Sequence, residues 1–488
     1  MRLIVKLASS GRERLVKIVR LTATRPFVPQ IGLGISASRN YFYPCDGDAA
    51  RPSGCGVPNQ ALARPHERRM DMDNKETKQP KPALNVSRRK LISAGAALGG
   101  LALFGRSALS AAAAKTIELP MVNGRRELAT YPQKRELIVM TARPVQLETP
   151  MSVFNEGVFT PNDAFFVRWH LADVPTSMDA ATFRIKVHGL VKQPLSLSVD
   201  DLKNSFEQVE IAAVCQCSGN SRGLFNPRVA GGQWYNGAMG NALWKGVRLR
   251  DILNKAGIQA GAVQVRLNGA DGPVLPGTPD FIKALDLDIA LGEDVIVAYS
   301  MNGEPLPLLN GYPVRLVVPG WYATYWVKML DDVEVIGKVD ENFWMKPAYR
   351  IPDNPCACME PGQQGVKMVP INRMNVRSFI TSLADGATIR GGHMHEVKGI
   401  AFDGGYGIAR VLFSTDGGKT WTETRLGKDY GKYSFREWRA AFTPKAGRRY
   451  ELSCLAISNN GESQRFTPRW NPAGYMRNVV ETVRVTAI

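Results

Sequence analysis

The run 209–214, apolar except for Glu210, ends directly in Cys215-Gln216-Cys217-Ser218-Gly219-Asn220-Ser221-Arg222, and this junction constrains the fold more than any other stretch. A short apolar run bounded by turn residues reads as a buried strand, and Gly219-Asn220 is a pair that stops a strand and exposes the residues beyond it. A cysteine is thereby fixed at a strand exit beside the permanent cation Arg222. That setting favours a thiolate, which is a soft ligand for transition metals. Plain packing fits the same residues, because free cysteine is among the most buried residue types. The loop alone leaves both readings open.

With 488 residues and 44% hydrophobic content the chain can bury more than one core, so two or three domains are expected. The net charge of +18 is concentrated at the start: residues 1–113 carry 19 Lys and Arg against 7 Asp and Glu, a net +12, and +6 remains for the rest. The body is thus mildly basic, and no basic stripe is interleaved with aromatics, which argues against nucleic acid as a partner. Seven cysteines (Cys45, Cys55, Cys215, Cys217, Cys356, Cys358, Cys454) are too few and too uneven for a disulfide framework. A cofactor ligand or free thiols are expected instead.

Residues 1–69 are rich in Arg and show no sustained apolar period, and read as an unstructured or mis-assigned extension. Within 70–114, Ser87-Arg88-Arg89-Lys90-Leu91-Ile92 precedes an apolar run to Gly105 and the small residues 111–114, the order of a bacterial twin-arginine export signal. The run is shorter than the roughly 20 residues a membrane span needs, so a cleaved signal is expected rather than a permanent membrane anchor. The expected location is the periplasm. Between 115 and 354 alternation at 183–187, 263–267 and 314–318 predicts strands, 249–256 closed by Gly257 predicts a helix, and Asn302-Gly303 predicts a turn. The expected class is α+β. Residues 355–371 have linker composition. From 372 to 488 strand patterns at 408–415, 419–422, 438–442 and 450–458, with Asp416-Gly417-Gly418 as a hairpin turn, predict an immunoglobulin-like β-sandwich.

Four further stretches bear on chemistry. In 165–170 Arg168 and His170 alternate, on one face if extended. Gly231-Gly232-Gln233-Trp234 follows the cysteine loop, 244–253 leads into the predicted helix, and 313–320 leads to Trp326-Val327-Lys328. Together with the pattern Cys-[Ala/Ser]-Gly-Asn-x-Arg met by 217–222, and Trp-x-Gly-x-x-Leu-x-Asp-[Ile/Val]-Leu met by 244–253, the chain resembles the sulfite oxidase family of molybdenum enzymes over nearly all of 125–488. Within it the chain is most similar to the bacterial periplasmic sulfite dehydrogenases.

The resemblance implies a mixed α/β molybdopterin-binding domain followed by a dimerisation domain. It implies Cys217 as the protein ligand to molybdenum, with Cys215 a packing residue. Phe166, Val167, Arg168, Trp169, His170, Asp271, Asn310, Arg315, Trp326, Val327 and Lys328 would hold the molybdopterin, and Arg168, Arg222, Trp234 and Tyr349 would line the substrate pocket. Three positions depart from the family pattern: Trp169 in Arg-x-His, Asn310 before Gly311, and Ala473 where a further arginine is usual. Guanidinium groups suit sulfite, since each offers paired N–H donors and a fixed charge. The implied reaction takes sulfite to sulfate, with electrons leaving singly to a c-type cytochrome or a haem subunit, in a homodimer or heterodimer. The sequence has no Cys-x-x-Cys-His, so no haem is expected in this chain. Two rivals are a periplasmic molybdopterin-dependent sulfoxide reductase, which lacks the C-terminal β domain, and a non-enzymatic protein with a zinc or iron–sulfur site built from Cys215, Cys217, Cys356 and Cys358.

Overall fold

The computed structural model of the protein describes residues 114–488; the expected extension and the export segment through residue 113 lie outside them. The amino-terminal part of this region builds three sheets. The first is an antiparallel meander of Thr116–Glu118, Arg125–Ala129, Leu137–Thr141, Gln146–Glu148 and Val167–Arg168. The second is ordered Lys283–Asp286, Gln264–Gly269, Leu330–Ile336, Ile185–Gly189 and Leu195–Leu197, with its third and fourth strands parallel. The third is ordered Glu304–Pro305, Ile296–Met301, Met239–Arg248 and Gln208–Gln216, and Arg315–Val317 also pairs with Ile296–Met301.

Gln208–Gln216 is the strand expected from the apolar run, and residues 212–216 are buried without interruption. A strand covered on both faces needs no polar alternation, which explains its composition. It pairs antiparallel with Met239–Arg248, Cys215 opposite Gly240. Gly240 is a close-approach position: a Cβ there would lie 2.5 Å from the Phe165 ring. Leu249–Ala256 is the expected helix. Leu249, Ile252, Leu253 and Ala256, spaced to share one face, are all buried, and Gly257 ends the helix at φ +71° with its N–H on the carbonyls of Leu253 and Asn254. Asn302 and Gly303, both at positive φ, turn Ile296–Met301 into Glu304–Pro305.

The α+β expectation holds only in part. Besides Leu249–Ala256, the α-helices among the described residues are Val199–Asn204 and Leu287–Ala290, and β structure dominates. Antiparallel strands connect through short loops, so most of these sheets need no crossover helix.

The carboxyl-terminal part is two stacked sheets. One is ordered Arg377–Ile380, His395–Phe402, Arg436–Phe442 and Arg425–Leu426; the other Ala387–Ile389, Thr482–Ala487, Arg449–Ser458, Ile408–Ser414 and Thr422–Glu423. Ile380, Val397, Ala401 and Trp438 from the first meet Val411, Phe413, Leu452, Cys454 and Val485 from the second in one core.

Two expectations are corrected here. The strand expected at 419–422 resumes only at Thr422, because Asp416 gathers the turn around its carboxylate: it accepts the N–H of Lys419 (3.0 Å) and Thr420 (2.9 Å) and the hydroxyls of Thr420 (2.6 Å) and Ser414 (2.7 Å). Cys356 and Cys358 are not free thiols but are bonded to each other. The four-cysteine metal site is therefore not assembled, and among the described residues no cluster of three or more metal-ligating side chains occurs. Within the segment read as a linker, Met368–Pro370 pairs with Arg350–Pro352.

The Asp416 turn sets a pH dependence. Its hydrogen bonds hold the carboxyl well below the usual carboxylate range. A depressed folded-state value adds stability above the ordinary aspartate range, about pH 4, that is lost as pH falls toward the folded value. Asp416→Asn is expected to flatten the acid limb of a stability-against-pH curve while leaving the neutral-to-basic slope alone; an unchanged acid limb would refute this.

Candidate metal and cofactor site

The Cys217 loop is held by its own polar groups. The Cys217 N–H donates to the Ala238 carbonyl at 2.9 Å, and the Asn220 N–H to the Cys217 carbonyl at 3.0 Å. The Asn220 amide accepts from the Ala238 N–H (3.0 Å) and donates to the Asn236 carbonyl (3.1 Å), while Ser221, at φ +70°, donates to the Asn236 side chain at 2.5 Å. Asn220 thus acts as a turn residue and also ties the loop to the neighbouring segment. Cys217 is left lining a pocket.

Phe166, Arg168, His170, Asn310, Arg315, Lys328 and Tyr349 line this pocket with Cys217, from segments far apart in the chain. Seven other expected residues do not line it. Trp169 and Trp326 stand behind the cations, with the Lys328 ammonium 4.3 Å over the Trp169 ring and the Arg315 guanidinium 5.7 Å from the Trp326 ring. Val167 and Val327 are core, and Trp234 is fully buried beside the loop, its carbonyl accepting from the Gly223 N–H at 2.9 Å. Asp271 is buried, its carboxyl pushed up to about 6 by desolvation, which Lys328 partly offsets. Arg222 directs Nε to the Ala473 carbonyl (3.0 Å) and Nη1 to the Gly232 carbonyl (3.2 Å). The Ala473 main chain therefore stands beside Arg222.

The lining carries Arg168, Arg315 and Lys328 and no carboxylate. Burial, then the Arg315 charge, push the Lys328 ammonium down to about 7. His170 is held well below the ordinary imidazole range by burial and by Arg168, so it is neutral. Its Nε2 meets the Tyr349 hydroxyl at 2.5 Å, and that hydroxyl also accepts from Arg168 Nη2 at 3.4 Å. Burial pushes the Tyr349 phenol up, so its hydroxyl stays protonated and shares one hydrogen bond with Nε2. His170 Nδ1, Ser218 Oγ, Arg315 Nε and Thr324 Oγ1 are buried without partners. Orphaned buried polar atoms are rare, and beside two guanidinium groups and a lysine they suit an anionic guest. An anionic pterin with a soft metal held by a single thiolate fits this donor set.

Cys215 is buried as expected, but it also lines the pocket, 3.8 Å from Arg315 Nη2. Burial pushes its thiol up to about 11, so it is protonated at neutral pH. Tyr349 takes a left-handed backbone at φ +57°, a conformation a bulky residue adopts only where its surroundings enforce it.

Several residues carry no sequence signal. Buried Lys134 donates to the carbonyls of Asn162 (2.6 Å) and Phe165 (3.0 Å) and to the Asn310 side chain, whose amide in turn donates to the Phe166 carbonyl at 3.0 Å. It thus holds the pocket's Asn310 edge from behind. Phe281 stacks on His170 at 3.5 Å, and Lys283 Nζ lies 5.2 Å from the Tyr349 ring centre.

Comparison with known proteins agrees with this arrangement. Residues 170–344 match the oxidoreductase molybdopterin binding domain and residues 368–487 the Mo-co oxidoreductase dimerisation domain. The mitochondrial sulfite oxidase of Rattus norvegicus is 33% identical over 72% of this chain and 66% of its own length, so the chain spans just under two thirds of that relative. The sulfite oxidase of Gallus gallus is 32% identical over 71% of this chain and 77% of its own. The crystal structure of the sulfane dehydrogenase SoxCD from Paracoccus pantotrophus covers 74% of this chain and 88% of that one, with 25% identity and a TM-score of 0.62. The pocket, the two matched domains and these relatives together assign the chain to the sulfite oxidase family of molybdopterin enzymes.

Proposed function

We propose that this chain is the catalytic subunit of a periplasmic sulfite dehydrogenase, oxidising sulfite to sulfate and passing electrons singly to a c-type cytochrome or haem subunit. The observation that carries the reading is the Cys217 thiol, with the protonated Cys215 thiol beside it, in a carboxylate-free pocket lined by Arg168, Arg315 and Lys328 and by buried polar atoms without partners. Likeness to animal sulfite oxidases supports the substrate. On this reading 115–354 is the molybdopterin-binding domain, 355–371 a linker, and 372–488 an immunoglobulin-like domain that pairs with a second copy or another subunit. The twin-arginine segment exports the folded protein.

The molybdenum centre, when bound, supplies oxo transfer and accepts the two electrons. The chain supplies orientation and charge. Cys217 would ligate the metal, and Arg315 and Lys328 would hold the anionic pterin with the Phe166 and Asn310 walls. Arg168 presents a fixed charge to the substrate oxyanion, its Nη1 held on the Trp169 carbonyl at 2.6 Å. Tyr349, between Arg168 and His170, can hold or release a proton at its hydroxyl as charge in the pocket changes.

Sulfane sulfur as substrate is a second reading, favoured by the likeness to the sulfane dehydrogenase. The test is cytochrome c reduction by the purified mature protein with sulfite and, separately, a sulfane donor, with molybdenum measured on the same sample. Sulfite turnover with stoichiometric molybdenum is the expected result. Turnover on the sulfane donor alone would move the assignment to the second reading, and absence of molybdenum from matured protein would remove its basis.

A further inference from the structure

We infer that Tyr475, delivered from the carboxyl-terminal segment, is a positioning residue that fixes Tyr349 and Arg222 relative to each other and so sets anion affinity at the site. The inference rests on the proposed function for its substrate, sulfite, but not for its geometry. The Tyr475 ring lies parallel to the Tyr349 ring, 5.5 Å apart and within 2°. The Arg222 guanidinium lies 5.1 Å from the centre of the Tyr475 ring. Tyr349 in turn meets Arg168 and His170 through its hydroxyl and Lys283 at its ring. One ring thus links Arg222, behind the pocket, to the residues that line it.

The segment is fastened where it does this. The Asn471 amide donates to the Tyr475 carbonyl at 2.9 Å and accepts the Tyr475 N–H at 3.1 Å, while the preceding Ala473 carbonyl takes Arg222 Nε. Asn471 also donates to the Ala357 carbonyl, between the bonded Cys356 and Cys358, at 3.3 Å. Between Ala473 and Tyr475, Gly474 sits at φ +63°, and a Cβ there would lie 2.8 Å from Arg222 Cγ and 2.4 Å from Val229 Cγ2. No other residue type allows this approach.

Parallel aromatic packing and a guanidinium over a ring face both depend on the ring's π charge, not on the phenol oxygen. Phenylalanine should therefore substitute and leucine should not. Leucine is smaller than phenylalanine and also leaves a gap, so packing loss is separated from the loss of the ring's π charge by Tm and metal content measured on the same protein.

The test compares parent, Tyr475→Phe and Tyr475→Leu holoprotein in three measurements: calorimetric sulfate binding without turnover, the split of KM and kcat for sulfite, and Tm with molybdenum content. Tyr475→Leu is expected to weaken sulfate binding and raise the sulfite KM by about tenfold, with metal content unchanged and Tyr475→Phe within about twofold of parent. Three results would overturn the inference: parent-like sulfate binding and KM in Tyr475→Leu, equal losses in both variants, or a loss tracking lowered Tm and metal content. A parent protein inactive on sulfite would instead count against the proposed function, and sulfate binding would still report on Tyr475.

Discussion

Cys217→Ser protein is expected to fold normally and to lose turnover by more than about 100-fold. Residues that merely support a metal ligand typically cost about 10- to 100-fold in metal affinity or activity when replaced, so the ligand itself should exceed that range. Serine matches cysteine in size, and the backbone bonds of the loop, from the Cys217 N–H to Ala238 and from Asn220 to the Cys217 carbonyl, do not involve the sulfur. The hydroxyl is a hard donor with a far higher pKa than a thiol and is a poor replacement toward a soft metal. Turnover, molybdenum content and Tm on one preparation decide the matter. Retained turnover with retained metal would remove Cys217 from the site and turn attention to Cys215, which shares the pocket. Cys215→Ser serves as the control, expected to leave the metal bound.

Trp438→Ala is expected to destabilise the carboxyl-terminal sandwich by about 3–5 kcal/mol, the usual cost of removing a fully buried large aromatic. Trp438 is inaccessible to solvent, in the core formed by both sheets, and packs 6.2 Å from the Phe413 ring centre. Its indole N–H donates to the Ser378 hydroxyl at 2.9 Å, and that hydroxyl donates to the Ile400 carbonyl at 3.0 Å. Truncation opens a cavity and strips a buried hydroxyl of its donor, two penalties that act together. Urea unfolding followed by fluorescence measures the change, and a loss under about 1 kcal/mol would show that the sheets can close over the gap.

The elements legible in the sequence were those whose signal is local. Leu249–Ala256 carries its apolar face and its terminating glycine within nine residues, and Gln208–Gln216 carries the apolar stretch 211–215, soon followed by turn residues. Expectation failed where a side chain overrode pattern: Asp416 recruits the turn that delays the strand to Thr422. It failed again at Cys356 and Cys358, where counting cysteines along the chain gave no sign of a bond between near neighbours.

The sequence by itself determined the chemistry available. It set the strand-exit thiol of Cys217, the alternating Arg168 and His170, and the motifs that resemble one family, because each is written in contiguous residues. The tertiary structure alone decided which of them share a pocket and what supports them. Lys134 reaches Asn310 across 176 positions, and Tyr475 reaches Tyr349 and Arg222 from near the end of the chain. A lone lysine or tyrosine has the same local pattern whether it faces water or is buried in a site. Its role is set by which distant segments the folding of the sheets brings within hydrogen-bond or stacking distance.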